Sequence, residues 1–139
     1  FDAQLHEYQP PDVADGVARL LGRWVELGGR LGFGVGDETS CFVILDTPQG
    51  EATRSIWPLT IYPSGRCEVV FQYLARRAPF DDIVLREQLR QRLNTIEGID
   101  LPAEKIDLRP SFQLDVLAEP QAQAALADQL AWFRSTVDS

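Results

Sequence analysis

Residues 54–74, RSIWPLTIYPSGRCEVVFQYL, decide the fold. Two runs of strand-forming residues flank Pro63–Ser64–Gly65, and their register follows from the loop length that keeps apolar side chains on one face. A two-residue turn at Ser64–Gly65 would set Trp57, Leu59 and Ile61 against mostly polar partners. A three-residue loop pairs Ile61 with Cys67, Leu59 with Val69 and Trp57 with Phe71, apolar against apolar. Proline suits the second position of a type I turn, and glycine the positive-φ residue after it. Pro58 has no N–H for a ladder, so its strand is at an edge or is bulged there. The opposite face of this hairpin then shows Ile56, Pro58, Thr60 and Tyr62 on one strand and Arg66, Glu68, Val70, Gln72 and Leu74 on the other.

Upstream, RLGFGVGDETSCFVIL at 30–45 reads as two further strands joined at Gly36–Thr39. Glycines 32, 34 and 36 are spaced as in phosphate loops, but neither the Gly-Lys-Ser/Thr ending of a P-loop nor the helix-opening glycine of a dinucleotide site follows. They read as places where a neighbour packs closely. Residues 1–11 form an extended lead-in, since Pro10 and Pro11 stop a helix from running through. Asp12 caps a helix with Val13, Val17, Leu20, Leu21, Trp24 and Val25 on its apolar stripe, ended by Gly28 and Gly29.

Downstream, Asp81 or Asp82 caps a helix carrying Val84, Leu85, Leu89, Leu93 and Ile96, closed by Gly98. A short helical turn at Pro102–Lys105 and an extended piece at Phe112–Leu114 follow, with Phe112 and Leu114 turned to the core. Arg109 is expected to clamp this connection from a buried position. Glu119 and Pro120 open a last helix with Ala122, Leu126, Leu130, Phe133 and Val137 on its core stripe and Trp132 beside it. The order predicts an α+β two-layer sandwich: an antiparallel four-strand meander covered on one face by about three helices.

At 139 residues, with 45% hydrophobic and 24% charged residues, the chain has the composition of one globular domain spanning 1–139. No run approaches the roughly 20 apolar residues of a membrane span, so no membrane partner is expected. The sequence begins at Phe1 and contains no Met, which reads as an excised or C-terminal part of a longer chain. Cys41 and Cys67 sit in apolar runs, where a free thiol is more usual than a disulfide, as in a cytoplasmic protein.

The catalytic inventory is thin. His6 is the single histidine, and with two distant cysteines it offers no C-x-x-C or H-x-x-x-H pair, so neither a metal nor a cofactor is expected and no catalytic residue is assigned. Asp37–Glu38 and Asp81–Asp82 read as turn and cap residues. A carboxylate hydrolase would have to use Glu68 with Asp81 or Asp37. The net charge of −8 disfavours a general polyanion binder. Residues 66–92 are nonetheless net positive, through Arg66, Arg76, Arg77, Arg86, Arg90 and Arg92. Of these, Arg76, Arg77, Arg86 and Arg90 are the candidates for binding an anion such as a nucleic-acid backbone, because they bracket a helix start.

The stretches IYPSGRCEVVFQYLARRAPFDD, LREQLRQRLNTIEGIDLP and RPSFQLDVLAEP, with Trp132–Phe133 near the end, resemble a bacterial domain family of uncharacterised function. The shared pattern falls on Gly65, Glu68, Phe71, Pro79–Phe80–Asp81, Leu93–Asn94, Ile96, Gly98 and Arg109–Pro110–Ser111. It covers roughly residues 20–137 and implies company with restriction or mobile-element proteins, but no activity. The expected function is a non-catalytic interaction module. It would pair with itself or another protein domain through Ile56, Pro58, Tyr62, Val70 and Leu74 on the outer sheet face. Nucleic-acid backbone recognition through the arginines is the alternative.

Overall fold

A computed structural model describes residues 1–49 and 52–139. The helices are α1 (Asp2–Tyr8), α2 (Pro11–Glu26), α3 (Phe71–Leu74), α4 (Ile83–Leu93) and α5 (Pro120–Asp138). The strands are β1 (Arg30–Phe33), β2 (Cys41–Gln49), β3 (Ala52–Ile56), β4 (Leu59–Tyr62), β5 (Arg66–Val69) and β6 (Ser111–Gln113), with 3-10 turns at Ala103–Lys105 and Leu114–Ala118. All pairings are antiparallel, in the order β1-β2-β4-β5-β6, with β3 on β2.

The central hairpin closes through the three-residue loop. Leu59 faces Val69 and Ile61 faces Cys67, and Gly65 takes a φ of +139°, donating its N–H to the Tyr62 carbonyl at 3.0 Å. The third expected pair, Trp57 with Phe71, does not form. β5 ends at Val69 and Phe71 opens α3, while the Val70 N–H turns to the Pro58 carbonyl at 3.0 Å.

The register of β2 exposes the reason. Leu45 pairs with Ile56, and Phe42 pairs with Thr60, so residues 57–59 stand opposite 43–44 alone. One extra residue is accommodated at Trp57–Pro58, where proline has no N–H to lose from the ladder. β3 and β4 are therefore the two halves of one bulged strand, and the expected meander stands with β6 added beside β5. Because side chains alternate with period two, the bulge reverses the phase of everything before it. Ile56 enters the core beside Leu59 and Ile61, and Trp57 turns outward.

The inner face, from Cys41, Val43, Leu59, Cys67 and Phe112, packs into one cluster with Val17, Leu20 and Trp24 of α2 and Leu126 and Phe133 of α5. Buried Trp24 donates its indole N–H to the carbonyls of Ile44 (3.1 Å) and Arg30 (3.3 Å), fixing α2 against β1 and β2. Cys41 and Cys67 are free and buried on one cross-strand row with Ile61 of β4 between them. Two strand spacings, about 10 Å, exceed the reach of a disulfide. Burial pushes the Cys41 thiol up to about 12 and raises Cys67 also, which makes both poor nucleophiles.

Several expectations are corrected. The lead-in is helical: α1 seats Leu5 in the core, and Gln4 bonds the Asp37 carbonyl (2.7 Å) and the Thr39 N–H (2.7 Å). The prolines separate α1 from α2 without unwinding α1, and Pro11 rather than Asp12 opens α2. Val25 and Val84 are half exposed. Arg109 is exposed and has no hydrogen bond or ion pair among the described residues. Its segment is held instead by backbone bonds from Val69 to Pro110 O (2.8 Å) and from Gln72 to Leu108 O (3.0 Å). Phe112 and Leu114 are buried as expected, with Ser111 and Gln113 facing out. Among the described residues no helix is long and apolar enough to cross a membrane.

Two glycines of α2 give opposite expectations. A methyl group on Gly16 would overlap the Leu117 carbonyl, whereas one on Gly22 would meet nothing within 4 Å. Gly16→Ala should destabilise by about 1–3 kcal/mol through overpacking. Gly22→Ala should stabilise by up to about 1 kcal/mol through helix propensity. Urea denaturation of the two variants checks both signs.

Candidate interaction surface

The helices cover one face of the sheet, and the other carries a continuous cross-strand row: Gly32, Phe42, Thr60, Glu68 and Ser111. Beside it run Tyr62, Arg66 and Gln113. The bulge adds Trp57, whose ring centroid lies 5.5 Å from Phe42 and stacks 4.1 Å from Tyr73 of α3, at 19° between planes. The Tyr73 hydroxyl donates to the Ser55 carbonyl at 2.8 Å, locking the stack onto β3. Phe42, Trp57 and Tyr73 are all partly exposed, so they make an aromatic strip from the middle of the sheet to its end.

Two arginines lie over tyrosine rings of this face. The Arg77 guanidinium sits 5.0 Å from the Tyr73 ring, and that of Arg66 lies 4.1 Å from the Tyr62 ring and 3.9 Å from Glu68. Burial raises the Tyr73 hydroxyl, partly offset by the charges of Arg77 and Arg54. Tyr62 is raised by burial and by Glu68, so both phenols stay neutral donors at pH 7. At the margin Asp46 accepts from Arg30 (2.7 and 3.1 Å) and Ser55 (2.6 Å), which hold its carboxyl at about 2. Gly32 and Gly34 open no phosphate loop. Side chains there would run into Ile44 and Ser40, the close approach their strand setting implies.

Of the interface residues read from sequence, Tyr62 alone lies on this surface and is partly exposed. Ile56, Val70 and Leu74 are almost wholly buried. Pro58 is buried at the bulge. Ile56 is displaced by the phase reversal, and Val70 and Leu74 by the turn of the chain out of β5 into α3. Thr60 and Glu68 do face outward, nearly covered within the rows of larger side chains. Phe42, Trp57 and Tyr73 were missed. Carrying the alternation through Pro58 with one residue skipped would have found Trp57.

The arginines do not form one patch. Buried Arg86 donates to the carbonyls of Phe80 (2.8 Å), Asp81 (3.0 Å) and Ile106 (3.3 Å) and to Asp107 Oδ1 (2.8 Å), tying α4 to the segments before and after it. It is the clamp that Arg109 was expected to be. Arg90 is held by Glu87 (2.9 Å) and the Leu101 carbonyl (2.9 Å), and Asn94 bonds the same Leu101 through both its oxygen and its nitrogen. Arg92 lies over Trp132 at 4.5 Å. Arg76 is exposed, and Arg77 belongs with the aromatic strip.

Asp37 and Asp81 are exposed, in the β1–β2 loop and before α4, while Glu68 lies on the sheet face beside Arg66. Five surface grooves elsewhere on the protein are lined by other residues. Among the described residues no group of three His, Cys, Asp or Glu side chains is placed to hold a metal ion. No family model, no curated protein and no solved structure matches the chain.

Arg86→Ala should cost about 2–4 kcal/mol, because it strands three carbonyls and Asp107. Arg76→Ala and Arg109→Ala should leave the denaturation midpoint within about 0.5 kcal/mol of the parent. Guanidinium denaturation of the three variants separates the structural arginine from the surface ones.

Proposed function

We propose that the chain is a non-catalytic protein-interaction module that docks through the sheet face opposite α2 and α5. The observation that carries this reading is the partly exposed Phe42–Trp57–Tyr73 strip with Arg77 over its Tyr73 end. Tryptophan, tyrosine and arginine are the residues in which binding energy concentrates at protein interfaces, and a rigid stack has little rotamer freedom left to lose on binding. An accessory role within a larger assembly is consistent with that surface. Recognition of an anion or nucleic-acid backbone is less well supported. Arg86 and Arg90 are engaged internally, the aromatic faces stack on one another, and the chain carries a net charge of −8.

The test pairs two substitutions on the strip that spare the core, Trp57→Lys and Arg77→Glu. Their circular dichroism should match the parent. Each should lose, by tenfold or more, either self-association in sedimentation velocity or proteins retained quantitatively by the immobilised parent. Retention of every association by both variants would remove the face from consideration. Binding of a single-stranded oligonucleotide at low salt, abolished by Arg77→Glu, would favour the anion reading.

A further inference from the structure

The edge of the sheet at β1 holds a second surface, on the helix side and distinct from the aromatic strip. A groove of about 540 Å³ lies between α1, α2 and β1, lined by Leu5, Leu21, Val25, Leu31 and Phe33 with Asp2 at its rim. Leu31 and Phe33 share the inner face of β1, opposite Val43 and Cys41. Phe1, at the start of α1, also lines the groove, with its ring centroid 6.0 Å from that of Phe33, yet Phe33 and Val25 stay half exposed and Val35, just beyond, is fully exposed. The volume is within the range of pockets that accept an organic ligand or several side chains.

The backbone beside the groove indicates what fills it. Gly34 donates its N–H to Ser40 O at 3.0 Å, so residue 34 faces β2. In an antiparallel ladder the residues that exchange hydrogen bonds with the neighbour alternate, which puts Arg30 and Gly32 in the same phase. The N–H and C=O groups of Leu31 and Phe33 therefore point away from β2, toward the side on which β1 has no neighbouring strand among the described residues. Two donors and two acceptors repeat at the two-residue spacing of a strand, and a strand is the ligand that satisfies all four. A strand added there would turn every second side chain toward the groove.

We infer that β1 is a docking edge for an extended segment of a partner protein. That segment adds antiparallel or parallel to β1, with apolar side chains at alternate positions entering the groove between β1 and α2. Basic residues at its ends suit a chain of net charge −8 with Asp2 at the groove rim. A second copy of this chain is the less fitting occupant, because it would bring an equal negative charge to the same edge.

The probe is a synthetic peptide with valine at alternate positions, threonine between them and lysine at both ends, titrated into the 139-residue chain. Amide hydrogen exchange should slow at Leu31 and Phe33 and stay unchanged at Gly32, whose N–H is already taken by β2. A scrambled peptide of the same composition should leave Leu31 and Phe33 unprotected. Gly22→Trp plugs the groove from α2 at a position with free space around it, and should weaken binding at least tenfold. Ala18→Trp, on the same wall, is a second plug. Binding that leaves the Leu31 and Phe33 amides unprotected, or that survives both plugs, would overturn the inference. So would protection of those amides that rises with protein concentration alone, since the occupant would then be a second copy.

Discussion

The aromatic strip on the outer face of this sheet depends on a single extra residue in one strand. Pro58 cannot donate to a ladder, and the chain absorbs it by bulging where residues 57–59 oppose 43–44. The bulge lets both halves of the strand bury their larger aliphatic side chains: Ile56 before it, Leu59 and Ile61 after it. Strict alternation would have placed Ile56 in water and Trp57 in the core. The outward Trp57 is what joins Phe42 to Tyr73, and the Tyr73 hydroxyl bond to Ser55 returns α3 to the same strand.

The polar groups follow an equally physical division of labour. Arg86 and Arg90 belong to α4, whose neighbours on either side are irregular and leave carbonyls at Phe80, Asp81, Ile106 and Leu101 that no ladder satisfies. A planar guanidinium answers several such acceptors at once, which an aliphatic residue cannot do. Arg66 and Arg77, by contrast, lie over tyrosine rings on the sheet face. The charge of a segment therefore says little about its electrostatic surface until the acceptors inside the fold have been counted.

Much of this was legible in the sequence because it is local. The Pro63–Ser64–Gly65 loop fixed the pairing of Leu59 with Val69 and Ile61 with Cys67, and helical spacing found the core stripes of α2 and α5. What escaped was non-local or depended on phase. Ile56 and Trp57 were exchanged because alternation was carried straight through Pro58. Val70 and Leu74 were assigned to a strand that ends at Val69, where the chain turns into α3. Arg86 stood among the anion-binding candidates because its acceptors come from Phe80 and Ile106, which no periodicity links to it. The groove at β1 was invisible because α1 was read as extended chain.

The register at the bulge is the claim on which the surface rests, and cross-strand proton contacts in an NMR spectrum of the labelled chain measure it most directly. The account predicts backbone contacts placing Leu45 opposite Ile56 and Phe42 opposite Thr60, with Trp57 ring protons close to Phe42 and Tyr73. Backbone contacts placing Leu45 opposite Trp57, the unbulged register, would contradict it and return Trp57 to the core.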